Sequence, residues 1–588
     1  MSASGFGPLW GLIVTSVSPR LSGLSITLIA ETVVSLLVLN FLWDFIPYHY
    51  IHWRRDNVKG QVPPRYPALI PYLGSVLELA LNHSNFGRRI SFYRGKLTAN
   101  RVRLMGRDYY YMQDREALEK MFRDKTMSSA IEMYAYSQYN VLGISRKAAD
   151  IIRTDNSGPF PQPHPLSNVL PHNRVEALTH GVSFRGLTGP GLRPLTQRYT
   201  KGVPANFKNF TTEWSEFGDL AWFFRQRVGE PTLRAILGPT IFRLNPTFLD
   251  DLFEFDKVLP YYVYCLPRFL MPKAYRIRER MADHFKRWYQ YAREHADPSL
   301  VDADGDPIWG SEMMRSRQQL LHADEHDDDT LAHLDTGLVW ASIGNVVPTT
   351  MLSVYHIFQD KELLRRVRHD LQLYLSTQPQ TIHELDPQQL ARDVPLLSSI
   401  YAETMRLYIR IYSMYSSPYE AVDVGKWKLP KGALALVMSH PNHMDASFWN
   451  TRDGKHPVQT FWADRFMVDP SDPGSGPVNP TRNDNETPPP SRPKEASASA
   501  SASSDQKPYF SMEGCQGAWL PYGGGHAMCP GRFFAKAIIV FTTALLVHEY
   551  DFEYHATVEL TNTRYGFGIA DLKRPVPFRI RKRRDPPL

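Results

Sequence analysis

The chain has 588 residues, 43% of them hydrophobic and 12% aromatic, which supports a large buried core. A net charge of +7 is mild for that length, and without a nucleic-acid-binding motif no nucleic-acid partner is expected. Three cysteines, Cys265, Cys515 and Cys529, argue against a disulfide framework and fit a reducing, cytosol-facing compartment.

Leu24 to Trp43 is mostly apolar and long enough to cross a bilayer, with one acid, Glu31, inside it. A cleavable signal peptide is the rival reading, but no basic region directly precedes the stretch. Arg54, Arg55, Lys59 and Arg65 follow it, against Arg20 before it, so the body of the protein is placed on the cytosolic side. Trp43, Tyr48, Tyr50 and Trp53 suit the membrane interface. Residues 1–55 are read as a single-pass anchor with its flank. Residues 56–75, with Pro63, Pro64, Pro67 and Pro71, are read as a stiff hinge.

From residue 76 to about 320 the pattern is mainly helical, with short strands near Arg101–Met105 and Asp108–Met112. His322 to Thr330 is rich in Asp and reads as an acidic lead-in to a helix, where negative charge complements the N-terminus, rather than as a metal cluster. That helix runs from about Thr330 to Asp360 and is apolar almost all round, so it should be buried and central. Pro348 should kink it. Gly344 would admit a flat group, and Asn345 offers a polar side chain beside it.

Glu403 and Arg406 are three apart in an apolar helix and can pair on one face. Trp427 to Val437 reads as a turn and a strand, and the spacing of His440 and His443 is not taken as a metal pair. Residues 469–507, rich in Pro, Ser, Asn and Ala, read as a disordered insertion. Then comes Pro521-Tyr522-Gly523-Gly524-Gly525-His526-Ala527-Met528-Cys529-Pro530-Gly531-Arg532, followed by a buried helix. A cysteine at the mouth of a helix meets amide N–H groups and the positive dipole end, which favour a thiolate. A thiolate under a glycine-rich loop suits a soft or redox-active metal centre, haem iron among them. Cys515 lacks both the glycines and the helix. Near the C-terminus, Tyr550–Tyr554 begins terminal strands, and Arg579–Arg584 reads as a solvated basic tail.

Taken in order, these stretches resemble the cytochrome P-450 superfamily, over roughly residues 60 to 588 outside the insertion. The Cys stretch is similar to the haem loop Phe-x-x-Gly-x-Arg/His-x-Cys-x-Gly, with Gly525, Cys529 and Gly531 matching, Tyr522 at the Phe position and Ala527 where Arg or His is usual. The resemblance implies a mainly α fold with a small β region, residues 76–588 as the catalytic domain, and haem b between the central helix and the loop. It implies Cys529 as axial ligand, Gly525, His526 and Arg532 as its neighbours at the cofactor, and His526 as the substitute for the missing propionate contact. It further implies a structural triad of Glu403, Arg406 and Arg465, and Phe567 and Ile569 as pocket candidates. The family's Trp-x-x-x-Arg is absent; Arg185, Arg193 and Arg198 are the arginines nearby. Where the family carries an acid–alcohol pair for proton delivery, this chain has Gly344 and Asn345, and in that it looks like the branch of sterol 7α- and 12α-hydroxylases and prostacyclin synthase. The expected activity is oxidation of a bulky hydrophobic small molecule (a terpenoid, sterol or polyketide of secondary metabolism), at the endoplasmic reticulum membrane, with electrons from NADPH-cytochrome P-450 reductase. The alternatives are a reductase-independent isomerase or dehydratase of a peroxide or epoxide, and a non-catalytic haem-binding protein.

Overall fold

A computed structural model describes residues 26–54, 59–263, 265–301, 305–323, 327–481, 507–561 and 566–584. Its first element is a 28-residue helix, Ile26–Trp53, about 42 Å long at 1.5 Å per residue. The apolar first half is exposed through Leu28, Val34, Leu36 and Leu39. The second half docks on the body. Asn40 Nδ2 donates to the Ala68 carbonyl at 2.8 Å, Asp44 pairs with Arg65 at 3.3 Å, and His52 Nε2 meets Asn100 Oδ1 at 2.8 Å. Tyr48, expected at a membrane interface, is instead buried among His52, Tyr66 and Tyr93. The helix continues ten residues past Trp43; of these Tyr48 and His52 pack on protein, while Ile46, Tyr50 and Trp53 stay exposed.

A six-stranded sheet has the order Phe567–Gly568, Arg410–Ser416, Leu434–Met438, Arg107–Met112, Ala99–Leu104, with Ser128–Ser129 also paired to Arg410–Ser416. Leu434–Met438 runs parallel to Arg107–Met112 and antiparallel to Arg410–Ser416. It is buried at every position, as a strand covered on both faces must be. A three-stranded sheet joins Tyr550–Tyr554, Phe578–Lys582 and Ser215–Phe217.

The central apolar run forms two helices, Asp328–Ile343 and Val346–Gln359, separated at Gly344-Asn345. The break lies four residues before Pro348 because the proline ring lacks an N–H and crowds the carbonyl of residue i−4, here Gly344. Asp327 caps the first helix by accepting from Thr330 N at 2.7 Å, while Asp328 and Asp329 pair with Arg293 and Lys286. The acidic lead-in is thus a cap and a set of ion pairs, as far as the described residues go; 324–326 lie outside them. Trp340 Nε1 donates to Asp256 Oδ1 at 2.7 Å, tying this helix to Phe248–Tyr262. The second helix packs on Arg532–Glu549 and Pro395–Tyr408, burying Leu352, Met405, Ile538 and Phe541.

The insertion is shorter than the sequence implied. Residues 482–506 lie outside the described set, but 469–481 are packed. Asn450 N donates to the Pro477 carbonyl and Asn479 N to the Phe448 carbonyl, each at 2.8 Å, and Asn450 Nδ2 reaches the carbonyls of Gly474 and Gly476. At the other end Tyr509–Phe510 pairs antiparallel with Met467–Val468. Composition misled here because turn residues and prolines satisfy their backbone against fixed neighbours instead of a core.

Candidate functional site

The site is built outward from a buried ion cluster. Glu403 and Arg406 lie one turn apart in Pro395–Tyr408. Arg406 Nε and Nη2 donate to the two oxygens of Glu403 at 2.7 and 2.8 Å, and Arg465 Nε reaches both at 3.0 and 3.1 Å. None of the three side chains has any exposure. The excess positive charge is met by carbonyls: Arg406 donates to those of His443 and Val458, Arg465 to those of Asn450, His456 and Pro457. Burial lowers the pKa of Arg465 against the pull of Glu403.

This cluster reaches the Cys loop through its neighbours. His443 Nε2 accepts from Leu520 N at 2.9 Å, so that nitrogen carries no proton and the imidazole is neutral. Trp519 Nε1 donates to the Ala402 carbonyl at 3.1 Å, and the hydroxyls of Tyr401 and Tyr522 share a 2.7 Å hydrogen bond. Tyr415, from the large sheet, accepts from Gly524 N at 2.9 Å and donates to the Gly524 carbonyl at 3.1 Å. Gly525 has φ +63°, and a Cβ on Gly524 or Gly525 would run into Phe122. The glycines thus admit the Phe122 ring and its backbone to the loop.

Cys529 N donates to the Tyr522 carbonyl at 3.0 Å, and Arg532 Nη1 to the Cys529 carbonyl at 3.0 Å. Burial pushes the Cys529 thiol up, while the N–H groups of Gly531 and Arg532 and the Arg532 charge pull it down. The residue is nonetheless accessible. Tyr134 has the same character: it is 36% accessible, yet burial raises its phenol. His526 Nε2 is buried without a protein partner, and the ring stands edge-on to Phe160 at 4.6 Å. His180 lies close enough to His526 and Arg532 that both charges lower its pKa, after burial.

Of the arginines named for the missing Trp-x-x-x-Arg, Arg185 and Arg193 are exposed and Arg198 donates to the Ala235 carbonyl. His180, one turn before Phe184 on the helix Val175–Leu187, lies near the loop residues His526 and Arg532. At the central break, a Cβ on Gly344 would press on the Trp340 carbonyl at 3.1 Å, so this glycine relieves crowding at the break. Asn345 Oδ1 accepts from Ile569 N at 3.1 Å. Phe567 is half-buried, and Ile569 is 1% exposed and packs in the core. Gly568, at φ +129°, breaks the strand alternation that would have put the two side chains on one face.

A cavity of about 550 Å³ adjoins the loop through Phe160, its walls including Lys125, Ser129, Asp155, Glu176 and Ser416. Asp155 is spent on the N–H groups of Ser157 and Glu176. Glu176 is pushed up to about 7, by burial first and by the Asp155 charge second, against hydrogen bonds from Ser129.

The family model for cytochrome P-450 matches residues 243–453, a range that holds the central helices, Glu403 and Arg406 and ends before the Cys loop. Cytochrome P-450 monooxygenase fsoE of Humicola fuscoatra is 30% identical across 94% of this chain and 95% of its own length. Cytochrome P-450 monooxygenase efuG of Hormonema carpetanum is 28% identical with the same coverage. Cholesterol 7-alpha-monooxygenase of Cricetulus griseus is 22% identical over 90% of this chain and 96% of its own. Among solved structures, retinoic acid bound cyanobacterial CYP120A1 superposes with a TM-score of 0.53 at 16% identity, covering 89% of this chain and all of that one, which is a likeness of fold.

Replacing Glu403 by Gln leaves two buried guanidiniums without their anion, and should cost about 3–5 kcal/mol of stability; urea denaturation reads this, and an unchanged midpoint would remove the cluster from its structural role. Glu176 ionises with a folded pKa of about 7 against an ordinary 4.5. Its contribution is therefore complete below pH 4.5 and disappears as pH rises through 7. Thermal midpoints should fall from pH 5 to 8 in the wild type and less steeply in Glu176→Gln; equal slopes would show that another group titrates.

Proposed function

The chain belongs to the cytochrome P-450 superfamily, and from that premise we propose that it works as a haem-thiolate monooxygenase oxidising a bulky, largely apolar small molecule. The observation that carries this reading is Cys529, an accessible thiol that burial pushes up and whose sulfur receives the N–H groups of Gly531 and Arg532. These residues fit a haem. Cys529 would hold the iron through its sulfur, the Nε2 of His526 would offer a contact to a haem carboxylate, and Arg532 would add positive charge beside them. When bound, haem with an axial thiolate supplies the oxygen-activating chemistry.

The protein's own share is positioning and exclusion. The Gly531 and Arg532 amides partly neutralise the sulfur, which moderates how strongly it donates. Four clamps on the loop, from Tyr401, Ala402, His443 and Tyr415, hold that sulfur against motion. A hydrophobic substrate would displace water from the apolar side chains around the site. Thr349 donates its hydroxyl to the Asn345 carbonyl at 2.6 Å, so the alcohol at the break is occupied locally.

The exposed apolar half of Ile26–Trp53 supports an N-terminal anchor, with the body on the cytosolic side of the endoplasmic reticulum. Electrons would then come from the membrane-bound NADPH-cytochrome P-450 reductase. The fungal relatives, named as monooxygenases, support a place in secondary metabolism, with a terpenoid, sterol or polyketide as substrate. A second reading, a reductase-independent isomerase of a peroxide or epoxide, draws on one observation: neither Asn345 nor the back-bonded Thr349 replaces the acid that usually handles protons at this break.

The reduced, carbon-monoxide-bound spectrum is the first test. The wild type should give a red-shifted thiolate-type Soret band that Cys529→Ser loses; a band surviving that substitution would overturn the ligand. NADPH-dependent hydroxylation with reductase present supports the monooxygenase, whereas turnover of a lipid hydroperoxide with neither present selects the isomerase.

A further inference from the structure

Where the N-terminal helix meets the body, a cavity of about 330 Å³ is lined by Phe45, His49, Tyr50, Trp53, Tyr93 and Arg94. Phe45, His49 and Trp53 are four apart and so share one face of Ile26–Trp53. The Phe45 and His49 rings meet at 61° with centroids 4.2 Å apart, and His49 meets Tyr93 at 51° and 5.6 Å. His49 Nδ1 and the Tyr93 hydroxyl share a 3.1 Å hydrogen bond, which engages the polar end of Tyr93 within the wall. Rings set at steep angles around a hollow make a cage rather than a stack. Phe45 and Trp53 remain 37% and 64% exposed, so the protein itself does not fill it.

Among the described residues, the lining holds one guanidinium, Arg94, and no carboxylate. Arg94 sits at the tip of a two-residue hairpin that joins Phe92–Tyr93 to Lys96–Leu97. Its φ is +49° and that of Gly95 is +79°, the signs of a type I′ turn. Asn, Asp or Gly suits the first of these positions, and Arg strains the backbone there. The strained residue carries the charge that lines the cavity. The helix also fixes the depth of the cage. An apolar run begun at Leu24 needs about 20 residues to cross the hydrocarbon, so the crossing ends near Trp43. At 1.5 Å per residue, Phe45 lies about 3 Å and His49 about 9 Å beyond that point. The headgroup layer is about 5–8 Å deep on each side, so the cage opens within it.

We propose that this cavity binds the phosphocholine headgroup of a lipid in the anchoring bilayer, with the trimethylammonium among the rings of Phe45, Tyr93 and Trp53 and the phosphate on Arg94. The proposal rests on the reading of Ile26–Trp53 as a membrane anchor. Ring faces attract a cation, and quaternary ammonium groups are the usual guests of aromatic cages. Arg94 repels a lone cation and favours a ligand that carries an anion beside it. A zwitterion satisfies both. A primary ammonium does so less well, because its N–H groups lose water in a wall without a carboxylate to receive them. An anionic headgroup without an ammonium uses Arg94 and leaves the rings unmatched. A belt of interfacial aromatics would favour the membrane surface without choosing among headgroups; the concave wall with a single guanidinium is what makes the choice.

The test uses the full-length holoprotein in a maltoside detergent, which carries no choline. Dioleoyl lipids with phosphocholine, phosphoethanolamine or phosphoglycerol headgroups are added separately, and native mass spectrometry reads the fraction of protein that retains one lipid. The wild type should retain phosphatidylcholine about tenfold more tightly than phosphatidylethanolamine, the scale of a desolvated cation–ring contact. Phe45→Leu with Trp53→Leu keeps apolar area but removes two ring faces, and should bring that ratio to near one. Arg94→Asn, which suits the left-handed turn, should weaken both zwitterionic lipids about fivefold and keep their ratio, since both carry the phosphate. Equal retention of all three lipids by the wild type would overturn the proposal. So would a preference for phosphatidylglycerol that Arg94→Asn abolishes, because the site would then be a basic patch. Flotation of the same protein with phosphatidylcholine vesicles tests the anchor separately. Floating protein without headgroup preference removes this site alone, protein that neither floats nor selects removes the anchor as well, and selection without flotation rules out the bilayer as the source.

Discussion

A single carboxylate, Glu403, is the anchor of the site, because two guanidiniums converge on it where none of the three groups meets solvent. An isolated buried charge of that kind is prohibitive, and even a buried pair gains little over an apolar replacement. What the cluster supplies is geometry. The excess positive charge can be relieved only by carbonyl oxygens, and these come from irregular chain between His443 and Pro457. A region without helix or strand to define it is thereby ordered around two guanidiniums. The same region presents the His443 ring to Leu520, one step from the Cys loop. The position of the thiol is thus inherited from the ion cluster through a short relay of hydrogen bonds.

The features readable in the sequence were local. Three-residue spacing put Glu403 and Arg406 on one helix face, alternation located the strands around Val102 and Tyr110, and the proline at 348 implied a kink whose place, four residues earlier, follows from ring sterics. The features that escaped depend on contacts between distant segments. Phe122, which explains the glycines at 524 and 525, lies some 400 residues before them. Tyr415 and His443 look like ordinary strand and loop residues until the loop descends on them. Ile569 was read as a side chain, whereas its amide N–H is what reaches the helix break. Tyr48 was assigned to a membrane interface because aromatic residues favour both that boundary and protein cores, and sequence alone does not separate the two.

The Cys loop also shows why one substitution in a motif need not weaken it. Tyr522 stands where the related loops carry Phe, and its hydroxyl could have been a buried, unsatisfied group. It is matched by Tyr401, two residues before Glu403 in the same helix, at 2.7 Å. The loop and the ion-cluster helix therefore share a polar contact at a place where apolar packing would have served, and the two tyrosines are coupled: losing either leaves the other's hydroxyl stranded.

The short pairing of Met467–Val468 with Tyr509–Phe510 has a consequence for how this chain varies over evolutionary time. It closes a door on everything between those strands, just upstream of the most demanding loop in the molecule. Chain added inside such a closure is charged mainly as ring entropy, about 0.6 kcal/mol for each doubling of its length. The number of residues between the two strands therefore weighs little on the closure they make ahead of the Cys loop. A lineage can lengthen, shorten or rewrite that stretch freely, and so acquire a new surface, without renegotiating the chemistry beside it.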